Sequence, residues 1–234
     1  MKNPFEFFDK IYCINLKERT DRWEECLSEF EKYGIENVER IEAIKVKEES
    51  LSSKRIGQIG CSLSYAVCVN KSLLAKSDNV LILEDDFDFI FDKEKLYYKM
   101  NKALNGLPED WDSLYFGGTV VDEYGHAPLQ SFSDKLFKLK CAHTTHSIAF
   151  SKRGLWKIAA MLNHSQETGW HENLLKNYEC IDTFFAKDYQ RNTNSFITPE
   201  ILCVQRSSFS DIEKTSYDYK EWMLGNFDKF KEKI

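Results

Sequence analysis

Four carboxylates in five positions, Glu84-Asp85-Asp86-x-Asp88, follow directly on the apolar run Val80-Leu81-Ile82-Leu83. The run is short, apolar and rich in β-formers, and it reads as a strand buried on both faces. A strand that ends in clustered carboxylates sets mutually repelling charges at the rim of a sheet. A hard divalent cation relieves that repulsion, because it takes oxygen ligands and keeps water or substrate phosphates in its remaining positions. The carboxyl ends of strands in open α/β sheets are also where ligands bind. The plainer reading is a solvated acidic turn before a helix with Asp92 as its N-cap. The buried strand that delivers the cluster favours the cation, and spacing leaves open which of the four carboxylates binds it directly.

The elements that must position this cluster are legible on both sides of it. Ile11 to Leu16 reads as a first strand, followed by the polar turn Lys17-Glu18-Arg19-Thr20. Trp23, Leu27 and Phe30 then recur at helical spacing, with Cys26 beside them, up to a stop at Gly34. Val38 to Ile44 is a second strand, and residues 45–56 are charged and serine-rich, which predicts a loop. A second helix is predicted from Gly57, with Ile59, Leu63, Val67, Leu73 and Leu74 as its apolar stripe. Gly57 and Gly60 would let a ligand approach the backbone at a helix N-terminus, which favours phosphate; close helix–strand packing is the alternative. Strand, helix, strand, helix, strand in that order predicts a mostly parallel α/β sheet flanked by helices, with right-handed crossovers.

Beyond the acidic run, a helix is predicted over 93–104 and a buried strand from Trp111 to Phe116, closed by Gly117-Gly118. Shorter units follow: Lys135 to Leu139, Ile148 to Phe150, a helix from Gly154 to Leu162, a short helix around Ile181 to Ala186, and a strand from Ile201 to Val204. The tail from Tyr217 carries Trp222, Leu224, Phe227 and Phe230, a stripe suited to docking on the domain. No repeat or low-complexity linker divides the chain, so one domain over 1–234 is expected.

Composition bounds the partners. Apolar residues make up 42% of 234, enough for a substantial core. The net charge of −6 argues against a nucleic-acid polyanion, so an anionic substrate needs a local device such as a cation or a few placed arginines. Seven cysteines, an odd number without a C-x-x-C pair, predict free thiols in a reducing compartment. The start, Met1 to Phe8, carries Glu6 inside its apolar run and is not a signal peptide; no stretch approaches the ~18 apolar residues of a membrane span. The expectation is a soluble, intracellular or cytoplasmic protein. Histidines 143, 146, 164 and 171 lack zinc-site spacing.

Ile14-Asn15-Leu16-x-x-Arg19-x-x-Arg22, Gly57-x-x-Gly60-Cys61-x-x-Ser64 and Leu83-Glu84-Asp85-Asp86 occur in that order. Later come Thr145-His146 before an apolar strand, Ser151-x-x-Gly154, Ile181-Asp182 leading a helix, and Gln205 with Ser210-Asp211-Ile212. Together these resemble glycosyltransferase family 25, the lipopolysaccharide-biosynthesis and collagen galactosyltransferase family, over roughly residues 10–212. The resemblance implies a GT-A (Rossmann-like) fold, a UDP-sugar donor, a divalent metal (Mn²⁺ or Mg²⁺) and inversion at the anomeric carbon. It implies a donor-binding half over 8–116, an acceptor half over 117–212 and a docking tail over 213–234. Two positions depart from the family's usual pattern: Tyr65 stands where His is common, and His146-Ser147-Ile148 replaces a His-Ala-Tyr-like stretch.

Transfer from a nucleoside diphosphate requires a neutralised leaving group, a deprotonated acceptor hydroxyl and an oriented sugar. Asp86 and Asp88 form an Asp-x-Asp pair suited to bridging a metal to the diphosphate, with Glu84 or Asp85 nearer the ribose or behind the metal. Asn15, Arg19 and Arg22 are placed to hold the nucleotide, with an ordinary helix-surface charge as the alternative for Arg22. The motif likeness adds Gly60, Ser64 and Gln205 to the donor site, and His146 as a hydrogen bonder or further ligand. Asp182 is the first candidate for the base, with a helix cap as its alternative, and Asp211 the second. The acceptor is a hydroxyl of a glycan, a lipooligosaccharide or a hydroxylysine-type residue. A transferase-fold module that binds without turnover, and a sugar nucleotidyltransferase, are the competing functions; residues 15–22 lack the glycines that a nucleotidyltransferase's phosphate loop favours.

Overall fold

The computed structural model describes the chain apart from residues 126, 163–169, 207 and 210–215. Its first half alternates strand and helix: β1 (Lys10–Asn15), α1 (Thr20–Tyr33), β2 (Val38–Glu42), α2 (Ser53–Leu74) and β3 (Asn79–Glu84). Next come β4 (Phe87–Phe89), α3 (Lys93–Leu104), β5 (Ser113–Tyr115), β6 (Thr119–Val120), β7 (Leu129–Ser131), β8 (Phe137–Leu139) and β9 (Ala142–His143). β10 (Ser147–Ser151) leads into α4 (Lys152–Leu162), α5 (Trp170–Asn177) and α6 (Ile181–Phe184). A π turn over Phe185–Tyr189 joins α6 to α7 (Gln190–Asn192). β11 (Ser195–Ile197), β12 (Cys203–Gln205), β13 (Ser208–Phe209), β14 (Ser216–Tyr217) and α8 (Tyr219–Lys231) follow.

Eight strands form one sheet in the order β2-β1-β3-β10-β5-β11-β8-β7. β2, β1 and β3 are parallel, as are β5 and β11. β10 opposes both of its neighbours and β8 opposes both of its own, so these two alone run against the rest of a mostly parallel, mixed sheet. β3 sits at the centre of the packing. Leu81 and Leu83 enter one core with Cys26, Phe30 and Tyr33 of α1 and Leu96 of α3. Val80 and Ile82 enter the other with Tyr65 and Val69 of α2 and Ile158 of α4. All four are fully buried, and the alternation between two cores is the period of a strand.

The helices show where apolar spacing misleads. α1 ends at Gly34 as expected, with φ +63 at the left-handed cap, but its buried face is Cys26, Phe30 and Tyr33, while Leu27 is exposed. α2 begins at Ser53, not Gly57, because the Ser52 hydroxyl accepts the Arg55 amide at 3.2 Å. The predicted α2 stripe is only partly buried, and Leu74 is exposed. The face turned inward carries Gly60, Ser64, Tyr65, Cys68, Val69 and Ser72 instead. Small residues let the helix lie close to the sheet, and each serine hydroxyl satisfies itself on the carbonyl four residues back: Ser62 on Gln58, Ser64 on Gly60, Ser72 on Cys68, each at 2.7 Å. α3 matches its predicted bounds, with the Asp92 carboxylate accepting the Lys95 amide at 2.9 Å. α8 buries Met223, Phe227 and Phe230 and leaves Trp222 outside. All seven cysteines are free, and among the described residues no helix is long and apolar enough to cross a membrane.

Candidate active site

From β1 the chain crosses to β2 on one side, and then through α2 to β3 on the other. Loops that part in opposite directions leave a crevice at the strands' carboxyl ends. Here it is a cavity of about 590 Å³. Asn15, Leu16, Arg19 and Arg22 line it from the β1–α1 turn, and Ile44, Lys45 and Val46 from the exit of β2. Gly57, Gly60, Cys61 and Ser64 of α2, the acidic residues Glu84, Asp85 and Asp86, and Gln205, Arg206 and Tyr219 complete the wall.

Asp85 is the fixed post of this wall. The Asn15 side-chain amide donates to Asp85 Oδ2 at 2.6 Å, and Arg22 Nη1 donates to Oδ1 at 2.7 Å. The Arg22 and Asp85 side chains are each 11% exposed, so Arg22 is a buried partner and not a helix-surface charge. Asn15 is itself held: Arg40 donates to its Oδ1 while lying 4.7 Å above the Trp23 ring. Arg40 was not foreseen; its only signal in the sequence is a cation inside a predicted strand. Arg19 reaches the cavity from the mouth, with its guanidinium on Asp21 at 2.8 Å.

The two acids beside Asp85 are in a different state. Burial, reinforced by the nearby Asp86 charge, pushes Glu84 up to about 8, although the Thr145 hydroxyl donates to it and pulls the other way. Burial and the Asp85 charge push Asp86 up to about 6, against the pull of Arg22 and Gln205. Gln205 Nε2 donates to Asp86 Oδ2 at 3.3 Å, while Oδ1 is buried with no hydrogen-bond partner. An orphan carboxylate oxygen among crowded acids is the donor chemistry that a hard divalent cation takes up. Asp88 lies on β4, in register with Val204, and is not part of the wall. Among the described residues no three of His, Cys, Asp and Glu gather as metal ligands.

Several expected residues build the wall from behind. A Cβ on Gly60 would lie 2.4 Å from the Ile44 carbonyl oxygen, and the Ser64 hydroxyl accepts the Ile44 amide at 2.8 Å. Gly60 and Ser64 thus grip the exit of β2; the N-terminus of α2 lies further back, at Ser53. His146 is fully buried and off the wall: its Nε2–H donates to the Cys203 carbonyl at 3.0 Å, its Nδ1 is unpartnered, and burial lowers its pKa to about 4. Tyr65 donates to the carbonyl of Thr145, whose hydroxyl holds Glu84, so this departure from the family pattern acts as a support for the acidic wall. The Arg206 amide likewise donates to the Asp86 carbonyl at 2.6 Å.

Asp182 is the second residue of α6, and the cap position belongs to Cys180. The Ile181 amide donates to Ser62 Oγ at 3.0 Å, which ties the start of α6 to α2 next to Cys61 of the cavity wall. Burial raises both Glu84 and the Cys61 thiol, and the charge of Asp182 adds a smaller push to each. Asp211 lies outside the described residues.

The sequence model of glycosyltransferase family 25 (LPS biosynthesis protein) matches residues 8–229. A glycosyltransferase 25 family member of Drosophila melanogaster is 29% identical over 179 residues, 65% of this chain and 28% of that protein. Procollagen galactosyltransferase 2 of Homo sapiens is 26% identical over 129 residues, 47% of this chain and 21% of that protein. Procollagen galactosyltransferase 1 of Danio rerio is 22% identical over 250 residues, 95% and 41%. The chain therefore spans less than half the length of each of these relatives. Among solved structures, the galactosyltransferase LgtC in complex with donor and acceptor sugar analogues overlaps at TM-score 0.40 and 9% identity, covering 96% of each chain. A glycosyltransferase involved in glycosylation of the major capsid of PBCV-1 overlaps at 0.36 and 11%, covering 96% of this chain and 98% of its own. Overlaps this loose carry no argument about the chemistry of the cavity. The sequence match does not depend on them: it takes in every strand of the main sheet and every residue of the cavity wall, and the chain belongs to glycosyltransferase family 25.

Proposed function

We propose that the chain is an inverting hexosyltransferase that moves a hexose of the galactose or glucose type from a UDP-sugar to a hydroxyl of a glycan, lipooligosaccharide or hydroxylysine-type acceptor. Family membership supports transfer chemistry, and the galactosyltransferase names of two relatives support the sugar type. The observation that carries the reading is the buried, unpartnered Asp86 Oδ1 beside Glu84 and Asp85 in the 590 Å³ cavity. Glu84 and Asp86, both raised by burial and by their acidic neighbours, would ionise together beside a cation, and the same cation would screen a diphosphate from them. Asp86 is the residue that would hold Mn²⁺ or Mg²⁺, with Glu84 beside it; Asp88, its expected partner, lies off the wall. Such an ion, when bound, supplies positive charge against the departing diphosphate.

The chain's own residues do the rest. Ile14, Leu16, Ile44, Val46 and Ile56 offer an apolar slot for the planar base, and Arg19 brings donors to the mouth. Asp85, held on both oxygens, is a rigid acceptor for a ribose hydroxyl. Asp182 takes the acceptor's proton as the acceptor oxygen attacks the anomeric carbon, opposite the leaving diphosphate, which inverts the configuration.

Calorimetry of UDP binding with Mn²⁺ and in EDTA, beside a turnover panel of UDP-sugars, tests this. UDP affinity is expected to rise with the cation, and Asp86→Ala to damage binding and turnover together. Undiminished affinity in EDTA overturns the metal. Cation-dependent UDP binding without turnover of any nucleotide sugar overturns the transferase in favour of a binding module.

A further inference from the structure

His143 ends β9 in register with Thr119 of β6, and Glu123 follows β6. Its Nε2 lies 3.0 Å from Glu123 Oε2, and its Nδ1 lies 3.8 Å from Asp182 Oδ2. Carboxylate, imidazole and carboxylate thus stand in a row leading away from the candidate base. A carboxylate only accepts, so the proton shared with Glu123 belongs to Nε2, and in the neutral ring the bare Nδ1 faces Asp182. Lone pairs then face each other with no hydrogen between them, which suits a separation longer than a hydrogen bond. Asp182 Oδ1 is engaged elsewhere, accepting from the Cys180 thiol at 2.6 Å, so Oδ2 is the oxygen left toward the ring. Thr144, next in the chain, takes φ +72, a costly conformation for a threonine, and its hydroxyl accepts the Thr119 amide at 3.3 Å. That turn sets its two neighbours, His143 and Thr145, against Asp182 and Glu84 respectively.

We propose that His143, oriented by Glu123, is a positioning residue that draws the acceptor's proton onto Asp182 and then away from it. This rests on the reading of Asp182 as the base. In the transfer step the acceptor O–H bond breaks, and its electron pair forms the bond to the anomeric carbon. The bond from that carbon to the diphosphate oxygen breaks, and its pair leaves with the diphosphate. The proton passes to Asp182 Oδ2, whose new O–H donates to Nδ1. With Nδ1 bare, the contact turns attractive once the proton has arrived, and so favours the transition state. The proton then moves to Nδ1, giving an imidazolium between two carboxylates, and leaves to solvent from the partly exposed ring before the next turnover.

The test compares His143→Ala, Asp182→Asn and the double variant of the full chain, with Mn²⁺, a UDP-sugar and acceptor. His143→Ala should lower kcat by about tenfold to a hundredfold, less than the ~10²–10⁴-fold of removing the base itself, with UDP affinity and Tm unchanged. Added imidazole should restore part of the loss, and the double variant should be no slower than Asp182→Asn alone. A His143→Ala kcat within about twofold of wild type beside a slow Asp182→Asn overturns the relay and leaves the base standing. Losses that multiply in the double variant do the same. Full transfer by Asp182→Asn overturns base and relay together.

Discussion

Asp85 and Asp86 are neighbours in sequence and opposites in state. One has both oxygens filled by Asn15 and Arg22; the other keeps an oxygen with no partner. That difference gives the metal-free protein a measurable pH dependence. In the folded chain Glu84 ionises at about 8 and not 4.5, and Asp86 at about 6 and not 3.8. Between the unfolded and folded values the native state therefore holds more protons than the unfolded state, so stability must fall as pH rises through that window. Two groups act in the opposite sense: Asp21, held down to about 2 by Arg19, below the window, and His146, lowered by burial to about 4, which favours the folded state as pH rises to its ordinary 6.5; above that only the acids are left. Denaturant midpoints measured in EDTA are expected to be lower at about pH 8 than at about pH 6.5, a range in which Glu84 is still titrating and His146 is neutral in both states. Saturating Mn²⁺ should close most of the gap, because it favours the ionised acids, and Glu84→Gln should shrink it. A midpoint that rises toward pH 8 in EDTA would show that these carboxyls are already neutralised by another group. The acidic run was legible because four carboxylates in five positions are conspicuous. Its division of labour was not, since the groups that decide it (Arg40, Thr145, Tyr65) lie far away in sequence and meet it only through the fold.

At the scale of elements, strands were easier to read than helix faces. β3 announced itself because a strand buried on both sides is apolar throughout. α2 did not, because its inward face is built from Gly60, Ser64, Cys68 and Ser72, residues that an apolar count passes over. Of the two readings of the Gly-x-x-Gly pattern, close packing accounts for its second glycine: the Ile44 carbonyl occupies the space of a Cβ at Gly60. Gly60→Ala must therefore move backbone, which neither α2 nor the exit of β2 accommodates cheaply. A loss of about 1–3 kcal/mol is expected, with Tm down by several degrees. UDP affinity should fall as well, because Ile44 and Lys45 move with the wall. Gly225, inside α8 with open space around its Cβ position, is the control: Gly225→Ala should hold or raise Tm. Equal melting of wild type and Gly60→Ala would mean that α2 can slide on the sheet, and that its close approach does not fix the cavity.

Across the whole molecule, two cores share one sheet, and the cavity draws its walls from distant parts of the chain. The last of these is α8, which was foreseen as an apolar stripe that docks, although Trp222 proves to point outward while Met223 takes the inner position. α8 packs on β6 and β12, and Lys231 Nζ donates to the Pro199 carbonyl at 2.9 Å. Its first residue, Tyr219, lines the cavity beside Gln205 and Arg206. Docking of α8 and completion of the cavity are therefore one event, and two substitutions separate this from a merely structural helix. Phe227 is buried in the core that also holds Val120 and Val204, so Phe227→Ala leaves a cavity and should cost about 3–5 kcal/mol. Trp222→Ala removes an exposed ring and should change stability by less than about 0.5 kcal/mol. Where Phe227→Ala remains folded, it should also weaken UDP binding, because Tyr219 loses its support; Trp222→Ala should not. Denaturation midpoints and calorimetry on the same preparations read both effects. Destabilisation of Phe227→Ala with full UDP affinity would make α8 a cap on the fold and remove Tyr219 from the donor site.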